Sequence, residues 1–266
     1  MPSRDDASAP QLTSPAQIGF PRFFTIAGYR VNSYKVFLAV GICVGTLTAA
    51  AAADASGLSP LRAGLATMVS ALAGLVGARV YHVLIHASGY VKADSPRALW
   101  HTASGGLSVF GALLTFVPVS FIAAALVAVP AFVLWDQMAV GVLAGGFWIR
   151  LGCVFNGCCA GRQTDAPFGI RLHDTLGVRK RRIPVQFLEM AWWIVGFVGF
   201  LGLWPTASPP GSCALAVLAW YGVGRFFLEP LRERPDVICG HVRINQLVAL
   251  LIAVGAISAL VVVGTR

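Results

Sequence analysis

Seven apolar runs, each about 20 residues long, dominate the pattern of hydrophobic and polar positions along this chain. A helix of about 20 residues crosses the roughly 30 Å of hydrocarbon in a bilayer, so each run is long enough for one membrane span. Short links that contain Pro and Gly separate the runs, and these residues stop a helix from continuing. The runs cover residues 34–53, 61–85, 105–129, 131–155, 185–204, 212–228 and 244–263.

This pattern predicts an all-α integral membrane protein, in which residues 33–266 form a single seven-transmembrane-helix bundle with an intramembrane cavity. A composition of 57% hydrophobic and 12% charged residues, with a mean hydropathy of +0.74, excludes an ordinary water-soluble globule. Residues 1–32 are mostly polar or Pro-containing, so we predict a flexible polar tail there. The tail lacks the apolar segment of a signal peptide, and we expect it to stay uncleaved.

The basic charge balance points to the membrane surface rather than to nucleic acid. The net charge is +9, but the Lys and Arg residues lie in short links between apolar runs, close to anionic lipid headgroups. Most of them fall in the tail and in the links after the second, fourth and sixth runs, which by the positive-inside rule predicts a cytoplasmic N-terminus. Six scattered cysteines do not indicate a secreted disulfide framework.

Six charged residues lie within or at the ends of the apolar runs. Each costs roughly 2.5 to 3.5 kcal/mol near the middle of a span, so such residues are usually functional or ion-paired. Apolar or small residues follow both Arg150 and Arg225, which favours a functional role, and their guanidiniums would form a bidentate clamp for a phosphate. Mutual pairing or snorkelling is the alternative, above all for Arg79. The six are Arg79, Asp136, Arg150, Glu189, Arg225 and Glu229.

Two glycine-containing motifs accompany these charges. Residues 150–165 place glycines on both sides of Asn156, whose amide both donates and accepts hydrogen bonds. Irregular backbone at membrane depth occurs only around cavities, so this motif predicts a broken helix end, with an ordinary terminating loop as the alternative. The second motif opens the third run with Gly105 and Gly106 and is weak alone.

Taken in order, these segments resemble the prolipoprotein diacylglyceryl transferase family, seven-helix enzymes of bacterial membranes. The resemblance runs from about residue 34 to residue 255, and no single motif within it is decisive. The matching residues are Tyr34, Gly77 to Arg79, Gly105 to Ser108, Gly111, Arg150 to Gly152, Asn156, Gly157, Gly161, Arg162, Ile183 to Gln186, Glu189, Tyr221, Gly222, Arg225, Glu229, Arg234 to Asp236 and Gln246.

The resemblance implies transfer of a diacylglyceryl group from phosphatidylglycerol to the thiol of a lipobox cysteine in a preprolipoprotein, with release of glycerol 1-phosphate. It further implies a multi-pass protein of the bacterial inner (cytoplasmic) membrane, with its N-terminus facing outward, and no cofactor or metal. Arg150 and Arg225 would be catalytic, with Arg150 on the donor phosphate. The residues implied to bind or shape the substrate are Tyr34, Arg79, Gly105, Gly106, Arg150, Asn156, Gly161 and Glu229.

The chain departs from the family pattern at three positions. Phe110 stands where the family carries a histidine, Cys153 at an asparagine position and Cys158 at a glutamate position. A phenylalanine cannot accept a proton, but deprotonating a free thiol at pH 7 costs only about 2 kcal/mol. His82, His86 and His101 are candidate substitute bases, with a structural role as the alternative.

The cysteines at 153, 158 and 159 leave several roles open. Compact packing of small residues is favoured, and a nucleophile, a redox pair or a metal ligand is the alternative. Vicinal cysteines rarely form a relaxed disulfide, and a fourth nearby cysteine for a tetrahedral metal site is missing from the sequence motif. A transferase for a related lipid and thiol, or a non-catalytic lipid-binding or transport protein, also fits these departures.

Overall fold

Seven α-helices make up most of the part of the chain that the structure describes. This computed structural model describes residues 20–85, 107–203, 209–233, 237–238 and 242–265. The helices are α1 (Ser33–Ala55), α2 (Pro60–Ile85), α3 (Val109–Leu126), α4 (Ala131–Asn156), α5 (Val185–Leu203), α6 (Ser212–Leu228) and α7 (Ile244–Gly264).

The prediction of a mostly helical membrane protein is confirmed, and six of these helices are long and apolar enough to cross a membrane. The remaining helix, α3, contributes only a shorter apolar stretch over Gly111–Leu126. It ends before residue 129 because Ala128 takes a left-handed conformation with φ 55° ahead of Pro130. The seventh membrane span therefore stays a prediction.

Among the described residues, three short β-hairpins were missed by the all-α prediction. They pair β1 (Phe23–Ile26) with β2 (Tyr29–Asn32), β3 (Ile170–His173) with β4 (Arg179–Arg182), and β5 (Val237–Ile238) with β6 (Val242–Arg243).

The polar tail predicted over residues 1–32 does not extend to residue 32, because the first hairpin occupies residues 23–32. Ala27 and Gly28 both have positive φ, at 49° and 82°, which is the conformation that closes a two-residue hairpin. The Phe24 ring lies 5.8 Å from that of Phe155 at the end of α4, so aromatic contacts hold the hairpin against the bundle.

Glycines allow α1 and α4 to pack backbone against backbone. A Cβ on Gly145 would lie 2.4 Å from the carbonyl oxygen of Gly41, and one on Gly141 would lie 2.3 Å from that of Gly45. Such close approach replaces the hydrophobic driving force that is absent between helices in lipid.

The two helices run antiparallel, as the hydrogen bond from Asn32, just before α1, to Asn156, at the end of α4, shows. The links after α4 and α6 meet at this same end, where Gly161 pairs with Arg232. We call it the polar end of the bundle.

We expect Gly145→Ala to lower the free energy of unfolding by about 1–3 kcal/mol, because the new methyl group overpacks the contact with Gly41. Denaturation in detergent micelles measures this change. Gly255→Ala in α7 is the matched control, since nothing lies within 4 Å of its Cβ position. The control should be neutral or up to about 1 kcal/mol stabilising. Equal stability of the two variants would contradict this packing.

Candidate functional site

Five charged side chains meet inside the polar end, and we call them the arginine–glutamate cluster. They are Arg150 from α4, Glu189 from α5, Arg225 from α6, and Glu229 and Arg232 from the turn that follows α6. The two carboxylates are only 4% and 1% exposed, so these charges are largely removed from water. Buried charges of this kind are tolerated only when they are paired.

Glu189 is the centre of the cluster, because its carboxylate binds three guanidiniums. Arg150 Nε lies 3.2 Å from Oε2, and Arg225 Nη1 lies 3.3 Å from Oε1. Arg232 Nη2 donates to the same Oε1 atom. The predicted convergence of Arg150 and Arg225 thus takes place on a glutamate of the protein itself.

Glu229 supplies the second carboxylate of the cluster. Its Oε2 atom lies 2.9 Å from Arg225 Nη2 and 3.7 Å from Arg232 Nε, and its Oε1 atom accepts a hydrogen bond of 3.3 Å from Asn245 in α7. Three guanidiniums and two carboxylates leave one excess positive charge, so the cluster is suited to an additional anion.

Two tryptophans fix α5 against α6 beside the cluster. The rings of Trp192 and Trp220 stack with their centroids 4.0 Å apart, and each indole N–H donates to the backbone carbonyl of the other residue at 3.2 Å. Trp192 lies three residues after Glu189, and Trp220 lies five residues before Arg225. This contact sets the relative position of the carboxylate and the guanidinium.

Gly161 allows the two links at the polar end to pass close to each other. A Cβ at this position would lie 2.1 Å from the carbonyl oxygen of Ile183, so a side chain would force the backbone apart. Next to it, the Arg162 amide donates to Leu231 at 2.9 Å, and the Glu233 amide donates to Ala160 at 3.0 Å. These bonds hold the turn that carries Arg232.

Arg182 forms a second buried ion group behind this turn. Its guanidinium binds Asp174 Oδ2 at 3.1 Å, the Glu233 carboxylate and the carbonyl oxygen of Gly161, while the residue is 1% exposed. Burial raises the pKa of Glu233, but hydrogen bonds from Gln163 and Arg182 outweigh it and hold that pKa below its ordinary value. Arg182 thereby ties the β3–β4 hairpin to the link after α6.

Tyr34 and Asn156 lie where α1 begins and α4 ends. The Asn32 side chain donates to Asn156 Oδ1 at 3.1 Å and accepts from the Tyr34 amide at 2.9 Å, which caps α1. A Cβ on Gly152 would lie 2.9 Å from the Cβ of Phe37, one turn after Tyr34, so glycine allows α1 and α4 to approach here. Asn156 ends α4, and Gly157 follows with φ 74°, as is common after a helix.

The link after α4 also brings three cysteines together. The Sγ atoms of Cys153, Cys158 and Cys159 lie within 4.8 Å of one another. Arg150 Nη1 lies 3.9 Å from Cys159 Sγ. Hydrogen bonds from the other two thiols and the neighbouring Arg232 and Arg150 hold the pKa of Cys159 well below its ordinary value, against the effect of burial.

Arg79 and Asp136 complete the charges predicted within the apolar runs. Arg79 is 4% exposed near the end of α2, where the Ser108 amide donates to the Ala78 carbonyl. Asp136 lies near the opposite end of α4 and accepts hydrogen bonds from the Gly211 and Ala214 amides at 2.7 and 2.8 Å. It therefore caps α6.

Several candidate residues lie outside the described residues. These are Gly105, Gly106, His86 and His101, and they stay predictions.

The sequence did not identify Arg182 and Arg232 as site residues. Their location in basic links suggested contact with lipid headgroups, which is wrong because they are 1% and 9% exposed and bind carboxylates. A signal for Arg232 was available, since it follows Glu229 by three positions on one turn. Arg182 gave no such local signal, because Glu233 lies 51 positions away.

We expect Glu189→Gln to lower the free energy of unfolding by about 3–5 kcal/mol, since it leaves three guanidiniums without their shared carboxylate. Denaturation in detergent measures this loss. Asp54→Asn is the matched control, because Asp54 is exposed at the other end of the bundle, and its stability should change by less than about 0.5 kcal/mol. A Glu189 variant as stable as the control would mean that the cluster does not depend on this carboxylate.

Comparison with known proteins supports the resemblance. The family model described as prolipoprotein diacylglyceryl transferase matches residues 21–262. A phosphatidylglycerol–prolipoprotein diacylglyceryl transferase of Tropheryma whipplei (strain Twist) is 34% identical over 169 residues, which cover 59% of this chain and 61% of the relative. This chain thus spans less than two thirds of that relative.

Two further relatives with the same name align over more of their length. The protein of Clostridioides difficile (strain 630) is 26% identical over 89% of this chain and 92% of its own. That of Staphylococcus aureus (strain MSSA476) is 26% identical over 91% and 88%. With the family model matching nearly the whole bundle, the chain belongs to the prolipoprotein diacylglyceryl transferase family.

Proposed function

We propose that this protein transfers the diacylglyceryl group of phosphatidylglycerol to the thiol of a lipobox cysteine in a preprolipoprotein and releases glycerol 1-phosphate. The observation that carries the proposal is a buried cluster of three arginines and two glutamates with one excess positive charge. An anionic headgroup is the ligand that such a cluster favours at the end of a membrane bundle.

The reaction develops negative charge where the cluster is positive. The substrate thiolate attacks the glyceryl carbon, the C–S bond forms, and the C–O bond to the phosphate breaks with its electron pair on the phosphate oxygen. Fixed guanidiniums in a low-dielectric site stabilise the charge that grows on this leaving group. Arg150 and Arg225 are the catalytic residues in this proposal.

The contacts give the two arginines different tasks. Arg225 uses both terminal nitrogens on Glu189 and Glu229, at 3.3 and 2.9 Å. Arg150 contacts Glu189 through Nε, and its terminal Nη1 atom lies 3.9 Å from Cys159 Sγ. Arg150 is therefore the first ligand of the donor phosphate in this proposal. Arg225, which is already bound to Glu189 and Glu229, is the second.

The other candidate residues define the surroundings of the donor. Tyr34 and Asn156 line the site between α1 and α4, Gly161 and Glu229 maintain its shape, and Arg79 contributes a further positive charge from α2. Gly105 and Gly106 belong to the link before α3 and are proposed to approach the donor lipid.

The same proposal includes seven membrane spans, with α3 as the third, in the bacterial inner membrane. We place the N-terminus and the polar end on the outer side, against the simple count of basic residues. Arg182 and Arg232 weaken that count, because both bind carboxylates in the protein interior rather than lipid at the surface. Buried, ion-paired arginines carry little topological information.

A non-catalytic lipid-binding or transport protein is the second candidate. It is favoured by Phe110 at the position of the family histidine, since phenylalanine has no proton to exchange. The same cluster would then bind the anionic lipid without chemistry on it. A catalyst that prefers a related lipid and thiol pair is a variant of the first candidate.

Arg150→Ala should lower product formation at least 100-fold, because the donor phosphate loses a charge-assisted bidentate partner. Arg225→Ala should have a comparable effect. The measurement uses purified protein, phosphatidylglycerol vesicles and a lipobox peptide, with mass spectrometry for the diacylglyceryl adduct. Arg62→Ala is the control, because Arg62 is exposed at the opposite end of the bundle, and its activity should stay within about twofold.

Unchanged product with Arg150→Ala and Arg225→Ala would contradict the phosphate-binding role of the cluster. Lipid binding by the wild-type protein without any adduct, on this or related lipids and thiols, would favour the non-catalytic candidate instead.

A cysteine introduced as Thr175→Cys should react with a membrane-impermeant maleimide in intact cells, because this exposed residue in the β3–β4 hairpin lies at the outward polar end. Ser59→Cys, exposed in the turn between α1 and α2, is the matched control and should react only after lysis. The wild-type chain supplies the background. The opposite labelling pattern would reverse the proposed orientation.

A further inference from the structure

Three sulfur atoms converge beside the proposed phosphate site. Cys153 lies in the last turn of α4 and is 3% exposed, while Cys158 and Cys159 are partly exposed in the link that follows. Their Sγ atoms are all within 4.8 Å of one another, close to the spacing of about 3.8 Å that three thiolates adopt around one tetrahedral zinc ion.

The backbone that brings the sulfurs together is held in an unfavourable conformation. Cys159 has φ 60°, which a residue with a Cβ adopts at a cost of order 1 kcal/mol. The turn directs Cys158 and Cys159 back towards Cys153. Compact packing of small residues does not by itself require this conformation. A strained turn that converges three thiols is typical of a preorganised ligand site.

A buried glutamine fixes the same turn from the neighbouring helix. Gln186 in α5 is 1% exposed, and its Nε2 atom donates to the Cys158 carbonyl at 2.8 Å and to the Cys153 carbonyl at 3.4 Å. Two of the three cysteines thus have their backbone held by one side chain. Outer contacts of this kind maintain the geometry of metal ligands.

Positive charge lies beside the three sulfur atoms, nearest to Cys159. Arg150 Nη1 is 3.9 Å from Cys159 Sγ, and the arginine–glutamate cluster has one excess positive charge. Three thiolates around a divalent ion carry a net charge of −1, which complements that excess. Three protein ligands also leave one of the four positions of zinc open, as in catalytic rather than structural zinc sites.

We propose that Cys153, Cys158 and Cys159 bind a thiophilic divalent ion of the zinc class, whose open position takes the substrate thiol. This inference rests on the proposed function and assigns it the group that activates the thiol in a chain with Phe110 at the family's histidine position. Binding of the metal releases the three thiol protons of the protein to solvent. The substrate thiol loses its own proton to solvent on coordination, because a thiol bound to zinc is deprotonated.

The metal-bound thiolate then attacks the glyceryl carbon. The C–S bond forms, the C–O bond to the phosphate breaks, and glycerol 1-phosphate leaves from Arg150 with the electron pair on its oxygen. The thioether product is a poor ligand and leaves the metal, so no oxidant or reductant takes part. The distance of 3.9 Å between Arg150 and Cys159 puts nucleophile and leaving group in one site.

Metal titration of the purified full-length protein in detergent tests the site without reference to activity. After reduction and removal of metal, we expect one Zn²⁺ per chain by atomic spectroscopy, and one equivalent of Cd²⁺ to give a thiolate charge-transfer absorption. Each single serine variant should weaken Zn²⁺ binding at least ~100-fold, because losing a direct ligand costs at least as much as losing a residue that hydrogen-bonds a ligand. These variants are Cys153→Ser, Cys158→Ser and Cys159→Ser. Cys43→Ser and Cys213→Ser are the matched controls and should bind as the wild type does.

Protection from alkylation tests the wild-type chain even if a variant fails to fold. Bound Zn²⁺ should protect all three clustered cysteines from N-ethylmaleimide, read residue by residue by mass spectrometry, and removal of the metal should restore their reaction. The site is refuted if no ion binds to the reduced protein, if the controls lose binding like the cluster variants, or if two clustered cysteines form a disulfide without any metal affinity.

The transferase assay separates the metal proposal from the proposed function. The metal-free protein should lose at least 90% of its product formation and regain it with one equivalent of Zn²⁺. Full activity of the metal-free protein would overturn the catalytic role of the metal while the transferase stands. Stoichiometric metal binding with no product under any condition would overturn the transferase and, with it, the role of the ion in activating a substrate thiol.

Discussion

The ion pairs around Glu189 are the interaction on which the polar end of this bundle depends. A carboxylate that is 4% exposed is stable only because guanidiniums from α4, α6 and the following turn surround it. Each of these elements must therefore reach the same point, which constrains the helix ends and the links together. Contacts between neighbouring helices help to hold these positions. They are the stacking of Trp192 on Trp220 and the hydrogen bond from Asn245 to Glu229.

Close backbone approach is the second requirement, and glycine meets it at each level. Gly41 and Gly145 let α1 and α4 touch, so that Asn32 reaches Asn156. Gly161 lets the link after α4 pass the backbone of Ile183, which brings the turn with Arg232 over the cluster. At both places the backbones approach closely because no side chain lies between them.

A buried charge can be recognised in the sequence when it interrupts an apolar run, but not when it lies in a polar link. Arg150 and Arg225 stand out in the sequence because each interrupts a long hydrophobic run, where a charge is costly unless it is paired or functional. Arg182 and Arg232 lie in links rich in basic residues, so only the fold reveals that they are buried. The first hairpin was missed because strands of four residues have too short a pattern to separate them from a polar tail.

The cysteines show why convergence in space changes a chemical interpretation. The sequence places Cys153 five positions before Cys158, and only the left-handed turn at Cys159 reveals that all three sulfurs point to one place. Glu189 and Glu229 are both engaged in ion pairs with the surrounding guanidiniums. In the proposed reaction, the excess positive charge of the cluster would stabilise both the phosphate of the leaving group and the attacking thiolate, so the same electrostatics would act at both ends of the reaction.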